Sequence, residues 1–153
     1  MAFVRAVVVL ALVGSSWQTS PPAVPADAAK TLAAAEALWQ SKKPASYEMT
    51  VNVMCFCRLA KTPPTFRVVD DKPRTAADLL ETTETYARYN TVPKLFYEIR
   101  KFLEQKPVKL DVKYDPVYGV PLSIDLDMRS DMADDELKVT ITDFKPVNVP
   151  LRP

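Results

Sequence analysis

The chain has 153 residues, 48% of them apolar and 25% charged, with 20 basic against 19 acidic side chains. That length gives one domain with one core, and the near-zero balance offers no bulk charge to hold a nucleic acid or an anionic membrane. The complete lack of histidine removes Ser-His-Asp and Cys-His nucleophile pairs, His-ligated zinc or haem, and the usual general base near neutral pH.

The first residues read as an export address. Met1 to Arg5 is short and basic, Ala6 to Val13 is an unbroken apolar run, and Gly14, Ser15 and Ser16 are small. This is the order of a secretory signal peptide, so residues 1–16 are expected to be removed. The run is too short to span a bilayer, which takes about 20 apolar residues. Cleavage is expected after Ser15 or Ser16, with Ala28 the alternative. No Cys follows the run, so attachment through a bacterial lipobox is not expected. Loss of Arg5 with the leader leaves equal numbers of basic and acidic side chains. Residues 17–26, including the Pro-rich stretch Gln18 to Pro25, read as a flexible tether, 27–148 as the domain, and 149–153 as a C-terminal tail. The expected location is periplasmic or extracellular.

Asp27 is placed to cap a first helix over Ala28 to Ser41, with Leu32, Ala35, Leu38 and Trp39 on one stripe and Pro44 as its stop. Ser46 to Arg58 alternates: Tyr47, Met49, Val51, Val53 and Cys55 face one way, and Glu48, Thr50 and Asn52 the other. A second strand is expected at Thr65 to Val69, ahead of a turn at Asp70-Asp71-Lys72-Pro73, and a third near Thr75 to Leu80 followed by a loop. Thr91 caps a second helix reaching Gln105, with Pro93 in its first turn, an inner face of Leu95, Phe96, Ile99, Phe102 and Leu103, and Pro107 beyond. Three more alternating strands follow, carrying Leu110, Val112 and Tyr114, then Leu122, Ile124, Leu126 and Met128, then Leu137, Val139 and Ile141. Apolar-in, polar-out alternation predicts an antiparallel sheet with one wet face, and only the two helices can cover the other. The expected fold is therefore α+β: five to six antiparallel strands with two helices on one face, in the order α-ββ(β)-α-βββ.

Three features bear on chemistry. Cys55 and Cys57 point to the same side of an extended chain, their Cα atoms about 6.6 Å apart, near the upper limit for a disulfide. A bond would bend the strand end. Four readings compete: a structural disulfide, two buried thiols, a reducible redox pair, and a soft-metal site completed by Met49 or Met54. Against redox catalysis, the pair follows a strand rather than opening a helix. In the second feature, Asp115, Pro116, Tyr118 and Gly119 form a hairpin connection. Gly119 is the only glycine beyond the leader, so a positive φ is expected there; an aromatic binding tip through Tyr118 is the alternative. The third is the acidic stretch of Asp125, Asp127, Asp131, Asp134, Asp135 and Glu136, read as a solvated loop with Ca²⁺ as the alternative. No metal ligand set and no cofactor are assigned.

The series Trp39, Tyr47, Cys55-Phe56-Cys57, Leu95-Phe96 with Ile99, Tyr114-Asp115-Pro116 with Tyr118-Gly119 and Pro121, and Asp134-Asp135-Glu136 resembles a family of exported bacterial proteins catalogued as a domain of unknown function. The resemblance runs from Ala35 to Phe144. It implies export and a single domain, and no activity. Many members look like lipoproteins, from which this chain departs. The element order is also similar to beta-lactamase-inhibitor-like and PepSY-like periplasmic domains, an analogy of fold alone. The expected function is a non-catalytic interaction module of the bacterial envelope, its partner an envelope protein. The alternatives are a thiol-redox or soft-metal protein using Cys55 and Cys57, and a carboxylate hydrolase using the acidic stretch.

Overall fold

The computed structural model describes residues 24–57, 62–74, 84–129, 131 and 135–147. Its elements run α1 (Ala28–Lys42), β1 (Ser46–Met54), β2 (Thr65–Val69), β3 (Lys72–Arg74), α2 (Glu84–Ala87), α3 (Val92–Glu104), β4 (Lys109–Tyr114), β5 (Pro121–Asp127) and β6 (Leu137–Pro146). The strands form one open sheet in the order β3-β2-β1-β6-β5-β4, antiparallel throughout. Two three-strand meanders are thus joined along β1 and β6, the first strand and the last.

Side-chain alternation sets which face is buried. Directly opposed pairs carry the apolar side: Tyr47 with Val68, Met49 with Phe66, Val51 with Ile141, and Ile124 with Val139. All eight are buried in one core with Leu32, Ala35 and Trp39 of α1 and Leu95, Phe96 and Ile99 of α3. The two long helices therefore cover the apolar face, as the sequence predicts, and the Arg100–Glu36 ion pair ties one to the other. The other face carries Glu48 against Arg67 and Lys145, and Thr50 against Thr65 and Thr142.

The Tyr47 hydroxyl accepts from the Val92 backbone N–H at 2.9 Å, so β1 satisfies one of the orphan donors at the start of α3. Thr91 caps that helix, its side chain accepting from Lys94 N–H at 3.3 Å. At α1 the expected side-chain cap is absent. Asp27 stands at the N-cap position but its side chain makes no cap hydrogen bond; its carbonyl instead accepts from Thr31 N (2.9 Å) and Oγ1 (3.1 Å). Its φ of −102° and ψ of 6° are not the extended geometry from which a cap side chain reaches back.

The first hairpin differs from expectation. The turn consists of Asp70 and Asp71 alone, both at positive φ (51° and 58°), which is the geometry of a two-residue hairpin. Lys72 and Pro73 belong to β3 and pair with Val69 and Val68. Pro73 is tolerated because β3 is, among the described residues, an edge strand with no further neighbour to receive an N–H. The third strand expected over Thr75 to Leu80 falls outside the described residues. After it, where a loop is expected, α2 places Tyr86 and the following Tyr89 in the core.

In β6 the alternation slips once. The register shifts by one residue between Glu48 and Thr50 on the partner strand, and Asp143 sits at φ 53°. This bulge lets Phe144, not Asp143, turn to the core side, where it meets Tyr47 and Tyr118, each at 5.5 Å between ring centroids.

Candidate functional site

At the end of β1 the chain turns through Cys55, Phe56 and Cys57. The two sulfurs are bonded, with their Cα atoms 5.2 Å apart. The closure is shorter than an extended strand permits, so the strand bends there, as the spacing requires. Phe56 at the apex is 84% exposed and Met54 beside it 60% exposed. Burial would remove both from water, so their exposure is the least economical feature of the surface.

These residues form one wall of a cleft of about 460 Å³. The floor is the wet face of the sheet: Lys138 on β6 is the cross-strand partner of both Met54 and Asp125. The far side is Lys109 on β4 with Asp127 on β5, and Glu136 precedes β6. Cys55 does two things: it packs on the margin of the core and it lines the cleft. Cys57 is exposed.

The cleft carries an uneven set of charges. Lys109 Nζ donates to Asp125 Oδ2 at 2.8 Å. That bond, with the nearby carboxylates of Asp111 and Glu136, holds the ammonium above its ordinary pKa. Asp127 and Glu136 stand next outward from the paired residues Leu126 and Leu137. Among the described residues neither has an ion-pair partner.

The remaining acidic residues are divided. Asp131 pairs with Arg129 at 3.3 Å on the exposed surface, Asp135 does not line the cleft, and Asp134 lies outside the described residues. Among the described residues no group of three or more carboxylates or thiols is placed to hold a metal. Of the two methionines weighed as soft ligands, Met49 is fully buried and Met54 shares the cleft with Cys55.

The hairpin residues lie elsewhere. Asp115 Oδ1 accepts from the backbone N–H groups of Val117 (3.0 Å) and Tyr118 (2.6 Å), while Gly119 at φ 75° donates to the Asp115 carbonyl at 2.9 Å. Tyr118 is half-buried against Phe144, so the aromatic of this turn serves packing and Val117, 51% exposed, is what protrudes. A β-carbon on Gly119 would stand 2.3 Å from the Ala35 carbonyl oxygen. The turn is thereby pressed against α1, where a shallower concavity of about 230 Å³ opens between Ala34, Leu38 and Pro116.

A family model matches residues 31–146, from within α1 to the last residue of β6. The chain belongs to the family of unknown function DUF6174. No curated protein and no solved structure gives a significant match. The DUF6174 match takes in both the Cys-Phe-Cys loop and the Asp115–Gly119 turn. Among the described residues no helix is long and apolar enough to cross a membrane.

Phe56, quoted above only within the Cys55-Phe56-Cys57 motif, is the residue of this site to which the sequence reading gives no role of its own. The signal was present. A large aromatic at an even-numbered position follows Glu48, Thr50, Asn52 and Met54 on the wet side of β1, where it has no core to enter.

Proposed function

We propose that this DUF6174 domain is an exported, non-catalytic binding module whose ligand surface is the cleft at the Cys55–Cys57 loop. The observation that carries the reading is Phe56, an aromatic side chain 84% exposed at a covalently closed apex over a concave, charged floor. Pinning the loop limits the freedom lost when a ligand covers the ring, and an exposed aromatic beside a polar rim is the usual make-up of an interface anchor. The leader-like start of the sequence supports a location where such a bond persists. Photo-crosslinking from position 56 of the exported full-length chain tests it, against a matched probe at Thr142 on the same face. A discrete adduct from position 56 alone is expected. No adduct, or a purified protein that turns over a substrate in broad hydrolase screens, overturns the reading.

One observation favours a second reading, thiol-redox or soft-metal chemistry: Cys55 lines the cleft and Cys57 is exposed, so both sulfurs are approachable. Thiol titration in dithiothreitol, followed by competition for Cu(I) against a chromophoric chelator, separates the two. A bond that survives mild dithiol, with no Cu(I) uptake after forced reduction, removes this alternative.

A further inference from the structure

The two edges of the sheet are built differently. At one, β3 is three residues long with Pro73 at its centre, and a proline offers no donor to a further strand. At the other, β4 runs six residues without proline, and among the described residues no strand lies beyond it. Its core side is incompletely covered. Val112 and Tyr114 are half-buried, and with Ile99, Leu103 and Leu110 they line a cavity of about 90 Å³ between β4, α1 and α3. On the wet side the strand reads Lys109, Asp111, Lys113. Lys109 is bonded to Asp125; Asp111 adds to the field at that ammonium without bonding it. Asp111 and Lys113 are exposed, and among the described residues neither has an ion-pair partner. Within the sheet Asp111 faces another carboxylate, Asp125, and Lys113 faces Ser123.

We propose that β4 pairs antiparallel with β4 of a second copy of this chain, about a two-fold axis at Val112, so that two sheets become one. A bare strand edge is a template for another strand, and the charges choose which. An axis at Val112 sets Asp111 opposite the partner's Lys113 and Lys113 opposite the partner's Asp111. On the core side it sets Val112 against its own copy and Leu110 against the partner's Tyr114. Facing side chains stand about 4.5–5.5 Å apart, so both ion pairs form and the apolar side continues across the seam. An axis at Asp111 brings two carboxylates together and puts Lys109 against the partner's Lys113; an axis at Lys113 brings two ammonium groups together. Axes at Leu110 or Tyr114 overlap at most three residues of each strand. Charge and overlap therefore select one register. That the pattern complements itself is what commits the edge to a second copy. Six residues a side is a small contact, so the dimer is a reversible one. An axis normal to the sheet leaves both wet faces, and both Phe56 loops, on one side, while the pairing itself needs nothing from the Phe56 cleft.

Sedimentation equilibrium of the exported full-length chain with its disulfide intact, from about 10 to 500 µM, tests this. A monomer–dimer equilibrium is expected that weakens as salt is raised, with amide exchange within 110–114 slowed at the higher concentrations. Lys113→Asp or Asp111→Lys alone turns both ion pairs into like-charge pairs and should weaken the dimer at least about tenfold; the two together restore opposite charges and should return it to within about threefold of the parent. Thermal melts check folding, and either single change suffices should the other not fold. A monomer at every concentration, a dimer indifferent to the single changes, or a double variant no tighter than the singles overturns the proposal. Amides of β4 protected equally at all dilutions would assign the edge to residues of the same chain before Val24, and overturn it as well.

Discussion

Replacing Gly119 by Ala adds one carbon where the β4–β5 turn presses on the backbone of α1. Two penalties combine. The residue sits at φ 75°, where an L side chain costs about 1–2 kcal/mol. The new β-carbon would also stand 2.3 Å from the carbonyl oxygen of Ala35 and 3.1 Å from its carbonyl carbon. That carbonyl belongs to the α1 backbone, which cannot swing aside as a side chain would, so overpacking of about 1–3 kcal/mol is added. The sum, about 2–5 kcal/mol, is a large part of the 5–15 kcal/mol that holds a typical domain. It corresponds to a fall in Tm of roughly 8–20 °C at about 4 °C per kcal/mol for a domain of this size. Thermal and urea unfolding followed by circular dichroism measures it. Gly119→Asn separates the two causes. Asn tolerates the left-handed backbone far better than Ala but carries the same β-carbon, so close approach predicts that Asn is nearly as damaging. A Gly119→Ala protein within 1 kcal/mol of the parent, or an Asn variant that restores it, would refute the claim that hairpin and helix backbones are in contact.

Three further outcomes follow from other contacts. Tyr47→Phe strips the acceptor from the Val92 N–H and should cost about 1–3 kcal/mol, read as a lower urea midpoint at unchanged m; a neutral result would mean another group serves that donor. Asp143→Val places a β-branched residue at φ 53° and should cost about 1–3 kcal/mol, with Asp143→Gly close to neutral; the reverse order would dismiss the bulge. Glu48 is held below its ordinary pKa, chiefly by its hydrogen bonds to Arg67 and then Lys145. A lowered folded-state pKa stabilises above the unfolded value and is lost as pH falls through the folded one. Urea midpoints should therefore show wild type ahead of Glu48→Gln at neutral pH, the gap closing only below the usual carboxylate range; a gap that is constant with pH would show that the charge is not what matters.

Most of the sheet was readable because period-two alternation is strong where one face is buried and the other wet. Tyr47, Met49, Val51 and Val53, named inward on β1, and the Val139 and Ile141 pair on β6 are buried in the core, while Cys55 reaches only its margin. What the alternation does not carry is local structure with little apolar content. The β3 edge strand is Lys-Pro-Arg, three residues with no buried side chain, and nothing in its pattern separates it from the turn before it. The Asp143 bulge announces itself only as a missed beat, a polar residue where the next inward one was due, before Phe144. The cleft was legible in parts and not as a whole. Cys55, Asp127 and Glu136 were each singled out, yet only the pairing of β1 with β6 and of β6 with β5 brings them to one end of one face. Long-range register is not written in any short stretch of sequence.

The seam between β1 and β6 ties the front of the domain to its tail. Val51 must find Ile141, so a chain emerging in order can pair β1 with β2 early but leaves the other flank of β1 unoccupied until almost everything else has been made. Contacts of such long span form slowly. A chain whose final strand has not yet arrived leaves that edge of β1 open, so its two meanders stay separate sheets until the last strand bridges them.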